Sequence, residues 1–148
     1  MLFDKSGISR VIYRRATDWW MQEMPKTYKV RAGSIAHGQQ AGTGYRVNGR
    51  VWVEKDGEMY LGWGRVMLLE KIGQLGSIAA AARSMELGYR NAWLWVDAMN
   101  RLAPAPLVEK TIGGDKGGYT RVTEEGRKTI SQYKELREKF QEFIKQMS

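Results

Sequence analysis

Arg90 and Asn91 stand side by side at the start of an amphipathic segment, Tyr89 to Leu102. A guanidinium can make paired hydrogen bonds to a guanine edge, and a carboxamide can do the same with adenine, when a helix carries them into the major groove. Side chains of these types in that position would suit recognition of duplex DNA. Ser77 and Tyr89 suit phosphate contacts or the holding of helix ends. Lys116 puts a cation in the glycine-rich run Gly113 to Gly118. Arg83 and Arg121 are further phosphate candidates. The bland alternative for the segment is an ordinary pair of helices in a small core.

No catalytic constellation accompanies these residues. His37 is the only histidine and there is no cysteine. Histidine-triad hydrolases, multi-histidine metal sites, cysteine-based zinc sites and cysteine nucleophiles are thereby excluded. Glu109, Asp115, Glu124 and Glu125 pair with no histidine or nucleophile. The run Gly113 to Gly118 lacks the Gly-Lys-Ser/Thr ending of a nucleotide-binding loop, and a strand rather than a helix follows it. Gly62-Trp63-Gly64 lacks the third glycine of a dinucleotide fingerprint. The expectation is a protein that is not an enzyme and needs no metal or cofactor.

The bulk numbers agree with a polyanion partner. The chain has 148 residues, enough for one domain with a core. It carries 24 Lys+Arg against 16 Asp+Glu, a formal charge of +8, which favours DNA, RNA or anionic surfaces. The lack of cysteine suits the cytoplasm. No apolar run approaches the ~20 residues of a membrane span, and the N-terminus lacks a signal-peptide stretch.

Three pieces position the chemistry. Residues 1–44 read as a poorly ordered N-terminal extension, because Arg31 to Gly44 has linker composition. The other readings of this stretch are a basic arm touching phosphates and a segment outside the natural domain. Residues 45–122 read as the DNA-binding domain. Tyr45, Val47, Val51 and Val53 alternate as in a half-buried strand, with Gly49 at a bulge. Asp56-Gly57 signals a hairpin turn, and Glu58 to Leu61 returns. Arg65 to Leu75 has a helical apolar stripe ended by Gly76. Ser77 caps a second helix whose alanines, Ala79 to Ala82, allow close crossing. Gly88 takes the left-handed conformation in the turn. On the third helix Ala92, Trp93, Val96, Met99 and Asn100 form the inward face, and Pro104 and Pro106 stop it. Leu107 to Ile112 and Tyr119 to Val122 form a hairpin with a glycine-rich tip.

Residues 123–148 read as a C-terminal dimerisation helix capped by Thr123. Tyr133, Leu136, Phe140, Phe143 and Met147 recur at heptad steps. The fold class is mainly α with β-hairpins: a winged helix-turn-helix with an N-terminal hairpin and a long C-terminal helix.

The run Gly64-Arg65-Val66-x-Leu68-Leu69-x-x-Ile72, then Gly76-Ser77-Ile78-x-x-Ala81-Ala82, then Tyr89-Arg90-x-Ala92-Trp93-x-x-Val96-x-x-Met99-Asn100, resembles the N-terminal DNA-binding domain of ModE-type molybdate-responsive transcription regulators. So does the hairpin Leu107-Val108-Glu109-Lys110-x-x-Gly113-Gly114-x-x-Gly117-Gly118. The resemblance covers about residues 46–148. It implies a LysR-like winged helix that dimerises and regulates transcription. The residue before Tyr89 is usually serine in that pattern and here is Gly88. The family's full-length members continue into molybdate-binding domains beyond the stretch matched here, so this chain alone is not expected to bind molybdate. The expected partners are double-stranded DNA and a second copy of the chain, with no membrane. The alternative is a winged-helix protein–protein interaction module using Leu94 and Trp95 as anchors. RNA binding follows, and an enzyme comes last.

Overall fold

The computed structural model describes residues 36–40, 46–111, 113 and 118–147. The chain divides into two units, Met1–Ala32 and Gly33–Ser148; the first lies outside the described residues.

The second unit is α+β. Among the described residues it contains six strands and four helices: β1 (Ala36–Gln40), β2 (Arg46–Gly49), β3 (Val53–Lys55), β4 (Glu58–Leu61), α1 (Trp63–Leu75), α2 (Ile78–Ser84), α3 (Tyr89–Leu102), β5 (Val108–Thr111), β6 (Tyr119–Val122) and α4 (Glu124–Gln146). The strands pair in order as three antiparallel two-stranded sheets.

Two features of the N-terminal region differ from expectation. Ala36–Gln40, assigned by composition to an extension, is a strand paired with β2. The single strand expected from Tyr45 to Val53 is two strands, β2 and β3, which belong to separate sheets. The alternation of valines cannot reveal such a change of partner. Gly49 is no bulge. A Cβ there would lie 2.8 Å from the Phe140 ring, so the glycine lets β2 lie against α4. The β3–β4 turn is as expected. Asp56 and Gly57 have φ of 54° and 77°, the pair of positive values that a two-residue hairpin loop requires.

Gly76 ends α1 in the left-handed region, φ 66°, with its N–H bonded to the Ile72 carbonyl at 2.8 Å. Ser77 then caps α2 by accepting the Ala80 N–H at 3.2 Å. Ala81 and Ala82 are buried, and their small side chains let α2 approach α1. The left-handed residue after α2 is Glu86, φ 53°. Gly88 instead has φ −59° and ψ 137°, a conformation open to any residue. The turn reaches α3 by bonding the Leu87 N–H to the Ala82 carbonyl, so the reversal occurs two residues before the glycine.

The core joins Val66, Leu68, Leu69 and Ile72 of α1 to Ile78 of α2, Val96 and Met99 of α3, and Leu107, Val108 and Val122 of the second hairpin. Asn100 fastens that hairpin to α3. Its carboxamide oxygen accepts the N–H groups of Leu107 and Val108, and its amide donates to the Val108 carbonyl. The Thr120 N–H bonds to the Gly76 carbonyl at 2.9 Å, tying β6 to the α1–α2 turn.

The last helix is part of the same core. Thr123 caps it by accepting the Gly126 N–H, and donates its own hydroxyl to the Pro106 carbonyl. A Cβ at Gly126 would stand 2.4 Å from the Leu107 carbonyl oxygen, so only glycine allows this approach. Tyr133 corrects the expected dimer stripe. It is 2% exposed and its hydroxyl donates to the Val51 carbonyl at 2.9 Å. Its ring covers the chain's own core because β2 and the loop after it close over this side of α4.

Candidate nucleic-acid interface

Arg90 lies at the N-terminal end of α3 with its side chain exposed, and Asn91 beside it is half-buried. The α3 N-terminus carries no side-chain cap. Arg90, Leu94, Asp97 and Arg101 follow one another at helical spacing along the exposed side. Arg90 forms no ion pair among the described residues, nor does exposed Arg83 near the end of α2. Arg101 does. It pairs with Glu58, and its guanidinium holds the Glu58 carboxyl below the usual carboxylate range. With the Lys55 ammonium on the Leu102 carbonyl at 2.9 Å, this contact binds the β3–β4 hairpin to the C-terminal end of α3. One end of α3 is therefore engaged by the protein, while the cation at the other end has no ion pair among the described residues.

Between the starts of α2 and α3 and the β5–β6 hairpin runs a cleft of about 240 Å³. Ser77, Tyr89, Trp93, Lys110 and Tyr119 line it, and none of its described lining residues is a carboxylate. The Lys110 ammonium lies 3.8 Å from the centre of the Trp93 ring. Tyr89, one helical turn before Trp93, meets that ring edge-on at 6.2 Å. Tyr89 and Tyr119 are each 55% exposed. Ser77 accepts a bond at its capping oxygen, which leaves its hydroxyl proton as a donor.

The structure thus brings Ser77 and Tyr89 to one cleft. Arg121 lies elsewhere on the hairpin, paired with Glu109 across the strands at 2.9 Å. Lys116 lies outside the described residues. Of the expected dimer residues, Leu136, Phe143 and Met147 are exposed, Phe140 is half-buried beside Gly49, and Tyr133 belongs to the core. Lys110 and Tyr119 were missed. The available signal was register: Tyr119 stands in the last pair of the ladder, opposite Thr111, and Lys110 stands one residue before Thr111 on the facing strand. Trp93, expected in the core, is half-buried: it packs against the core and also holds the Lys110 ammonium over its ring.

No group of three or more histidine, cysteine, aspartate or glutamate side chains among the described residues could hold a metal ion. No described helix is long and apolar enough to cross a membrane.

No protein-family model matches the chain. Individual proteins do. It is 42% identical over 84 residues to the molybdenum transport protein ModE of Azotobacter vinelandii, a match covering 57% of this chain and 31% of that protein. It is 41% identical over 78 residues to the transcriptional regulator ModE of Haemophilus influenzae, covering 53% of this chain and 30% of that protein. The chain is related to the ModE proteins. A third relative is the molybdenum-pterin-binding protein MopB of Rhodobacter capsulatus, 48% identical over 73 residues, covering 49% of this chain and 27% of that protein. The chain spans about three tenths of the length of these ModE and Mop relatives.

Proposed function

We propose that this chain is a sequence-specific duplex-DNA-binding transcription regulator built as a winged helix-turn-helix. In this reading α2 and α3 are the helix-turn-helix, α3 enters the major groove, and the β5–β6 hairpin is the wing. The observation that carries the reading is the asymmetry of α3. Its N-terminal end presents Arg90 with no ion pair among the described residues and Asn91 beside it, while its C-terminal end is engaged by Glu58 and Lys55. Recognition helices use that first end to meet base edges. The relation to a protein named as a transcriptional regulator supports the same reading. Phosphate contacts supply most of the affinity and Arg90 and Asn91 the discrimination.

The regulator acts as a homodimer through α4 and its C-cap, where Leu136, Phe143 and Met147 form an exposed apolar line. A two-fold arrangement would read half-sites about one helical turn, or a multiple of it, apart. Molybdate binding is not assigned to this stretch.

Selection of bound duplexes from a random pool tests the reading, followed by titration of the selected and a scrambled duplex across a salt series. Regulation through DNA requires enrichment of a motif and tighter binding to it. A pool that stays random would overturn sequence-specific recognition.

A further inference from the structure

The cleft between α3 and the β5–β6 hairpin has a chemistry of its own. Three hydroxyl-bearing residues, Ser77, Tyr89 and Tyr119, line it together with Lys110, and none of its described lining residues is a carboxylate. Lys110 has no ion-pair partner among the described residues. A lysine on an exposed strand would ordinarily sweep a wide volume of solvent, losing rotamer entropy when it binds. Here its ammonium rests 3.8 Å from the centre of the Trp93 ring, and Tyr89 braces that ring edge-on. The interaction of a cation with an aromatic face confines the ammonium without neutralising it. The result is a localised charge in a cleft that three hydroxyl-bearing residues also line, groups of the kind that bind a tetrahedral oxyanion.

We infer that this cleft is a phosphodiester clamp, in which Trp93 holds the Lys110 ammonium ready for one backbone phosphate of duplex DNA. The inference rests on the DNA-binding reading and adds to it a phosphate site with a division of labour. Lys110 meets the phosphate, while Trp93 and Tyr89 are positioning residues. Because the clamp joins α3 to the hairpin, it sets the register of α3 against the backbone and carries no sequence information.

The test measures binding of the intact chain to its selected duplex and to a random duplex over a range of salt. Lys110→Gln should make the slope of log affinity against log salt shallower by about 0.9, the release of one counterion, and equally on both duplexes. Lys110→Arg should restore the slope. Trp93→Leu should weaken binding about 2- to 5-fold with the slope kept, and Trp93→Phe should recover the loss. Lys110 is exposed, so its variants test the clamp even if Trp93→Leu disturbs folding. A wild-type protein that binds duplexes with a slope unmoved by Lys110→Gln would overturn the clamp and leave DNA binding standing. A wild-type protein that binds no duplex would overturn both. Calorimetry with inorganic phosphate and with molybdate separates the remaining source. Tight saturable binding of either, abolished by Lys110→Gln, would reassign the cleft to a small free oxyanion and overturn the duplex assignment.

Discussion

Asn100 and Val108 are joined by two hydrogen bonds that close on each other: the Val108 N–H donates to the Asn100 carboxamide oxygen at 3.0 Å, and the carboxamide amide donates to the Val108 carbonyl at 2.9 Å. The same oxygen also accepts the Leu107 N–H at 2.8 Å. One side chain thereby satisfies three main-chain groups of the residues entering β5. Leu107 and Val108 are buried, so water cannot easily replace it.

Asn100→Ala should accordingly destabilise the protein by about 2–4 kcal/mol, since buried polar groups left without partners cost more than a bond contributes. Asn100→Asp keeps an acceptor for both N–H groups but turns a carboxylate toward the Val108 carbonyl. Its stability should fall between those of Asn100→Ala and the wild type. Urea unfolding by circular dichroism measures both. Equal stability of all three would show the Asn100 bonds to be dispensable.

Arg90→Ala should weaken binding to the selected duplex by about 1–3 kcal/mol and narrow its margin over a random duplex. Thermal unfolding should be unchanged, because the side chain is exposed and bonded to nothing described. Equal losses on both duplexes would place Arg90 on a phosphate instead of a base.

The two glycines flanking α2 should respond oppositely to substitution. Gly76→Ala forces a side chain into the left-handed region, φ 66°, and should cost about 1–2 kcal/mol. Gly88 has φ −59° and no side-chain cap to offer α3. A Cβ there meets nothing closer than the Asn91 amide at 3.6 Å. Gly88→Ser should stabilise by about 0.5–1.5 kcal/mol, by supplying a cap and restricting the unfolded chain. Chemical denaturation of the two variants is the check, and a destabilised Gly88→Ser would mean the α2–α3 turn needs glycine after all.

Light scattering over a concentration series should find twice the chain mass for the wild type and one chain for Leu136→Glu with Phe143→Glu. Both side chains are exposed, so the paired change should leave the helical spectrum intact. Phe140 is unsuited to this test because its ring covers Gly49. A wild type that stays at one chain mass above micromolar concentration would reassign the line to packing within the chain.

Tyr60 gives a pH dependence. Burial pushes its phenol up, and the Thr129 hydroxyl bond acts more weakly in the other direction. The phenol is neutral in both folded and unfolded chains below the ordinary range of about 10, so its contribution is complete there. As pH rises beyond that value the unfolded chain ionises first, and stability falls until the higher folded value is passed. Tyr60→Phe should flatten the alkaline limb of a stability–pH curve. An unchanged limb would exclude Tyr60 as its origin.

Helix boundaries and the Asp56-Gly57 turn were legible because each follows from local chemistry: a period, a cap, a positive φ. What depended on distant partners was not. Ala36–Gln40 is rich in glutamine and glycine and resembles a linker until β2 is placed beside it. Gly88 looked like the left-handed position because glycine pays no steric cost there, yet Glu86 occupies it. Tyr133 fits a heptad as well as its neighbours do, and only the closure of Val51 over it assigns it inward. At the interface, Arg90 and Asn91 could be singled out by residue type and helix position. Lys110 could not, because its role depends on a tryptophan that lies seventeen residues earlier and faces it only after the hairpin folds back.

The bond from Thr120 to the Gly76 carbonyl has a consequence for how such a surface can change. It is made by main-chain atoms alone, as is the bond from the Thr123 N–H to the Leu107 carbonyl. Neither depends on which side chains the hairpin displays outward. Tyr119 and Arg121 can therefore be exchanged for other residues while the hairpin stays attached at the same place. New surface preferences can arise there one residue at a time, with each intermediate still folded.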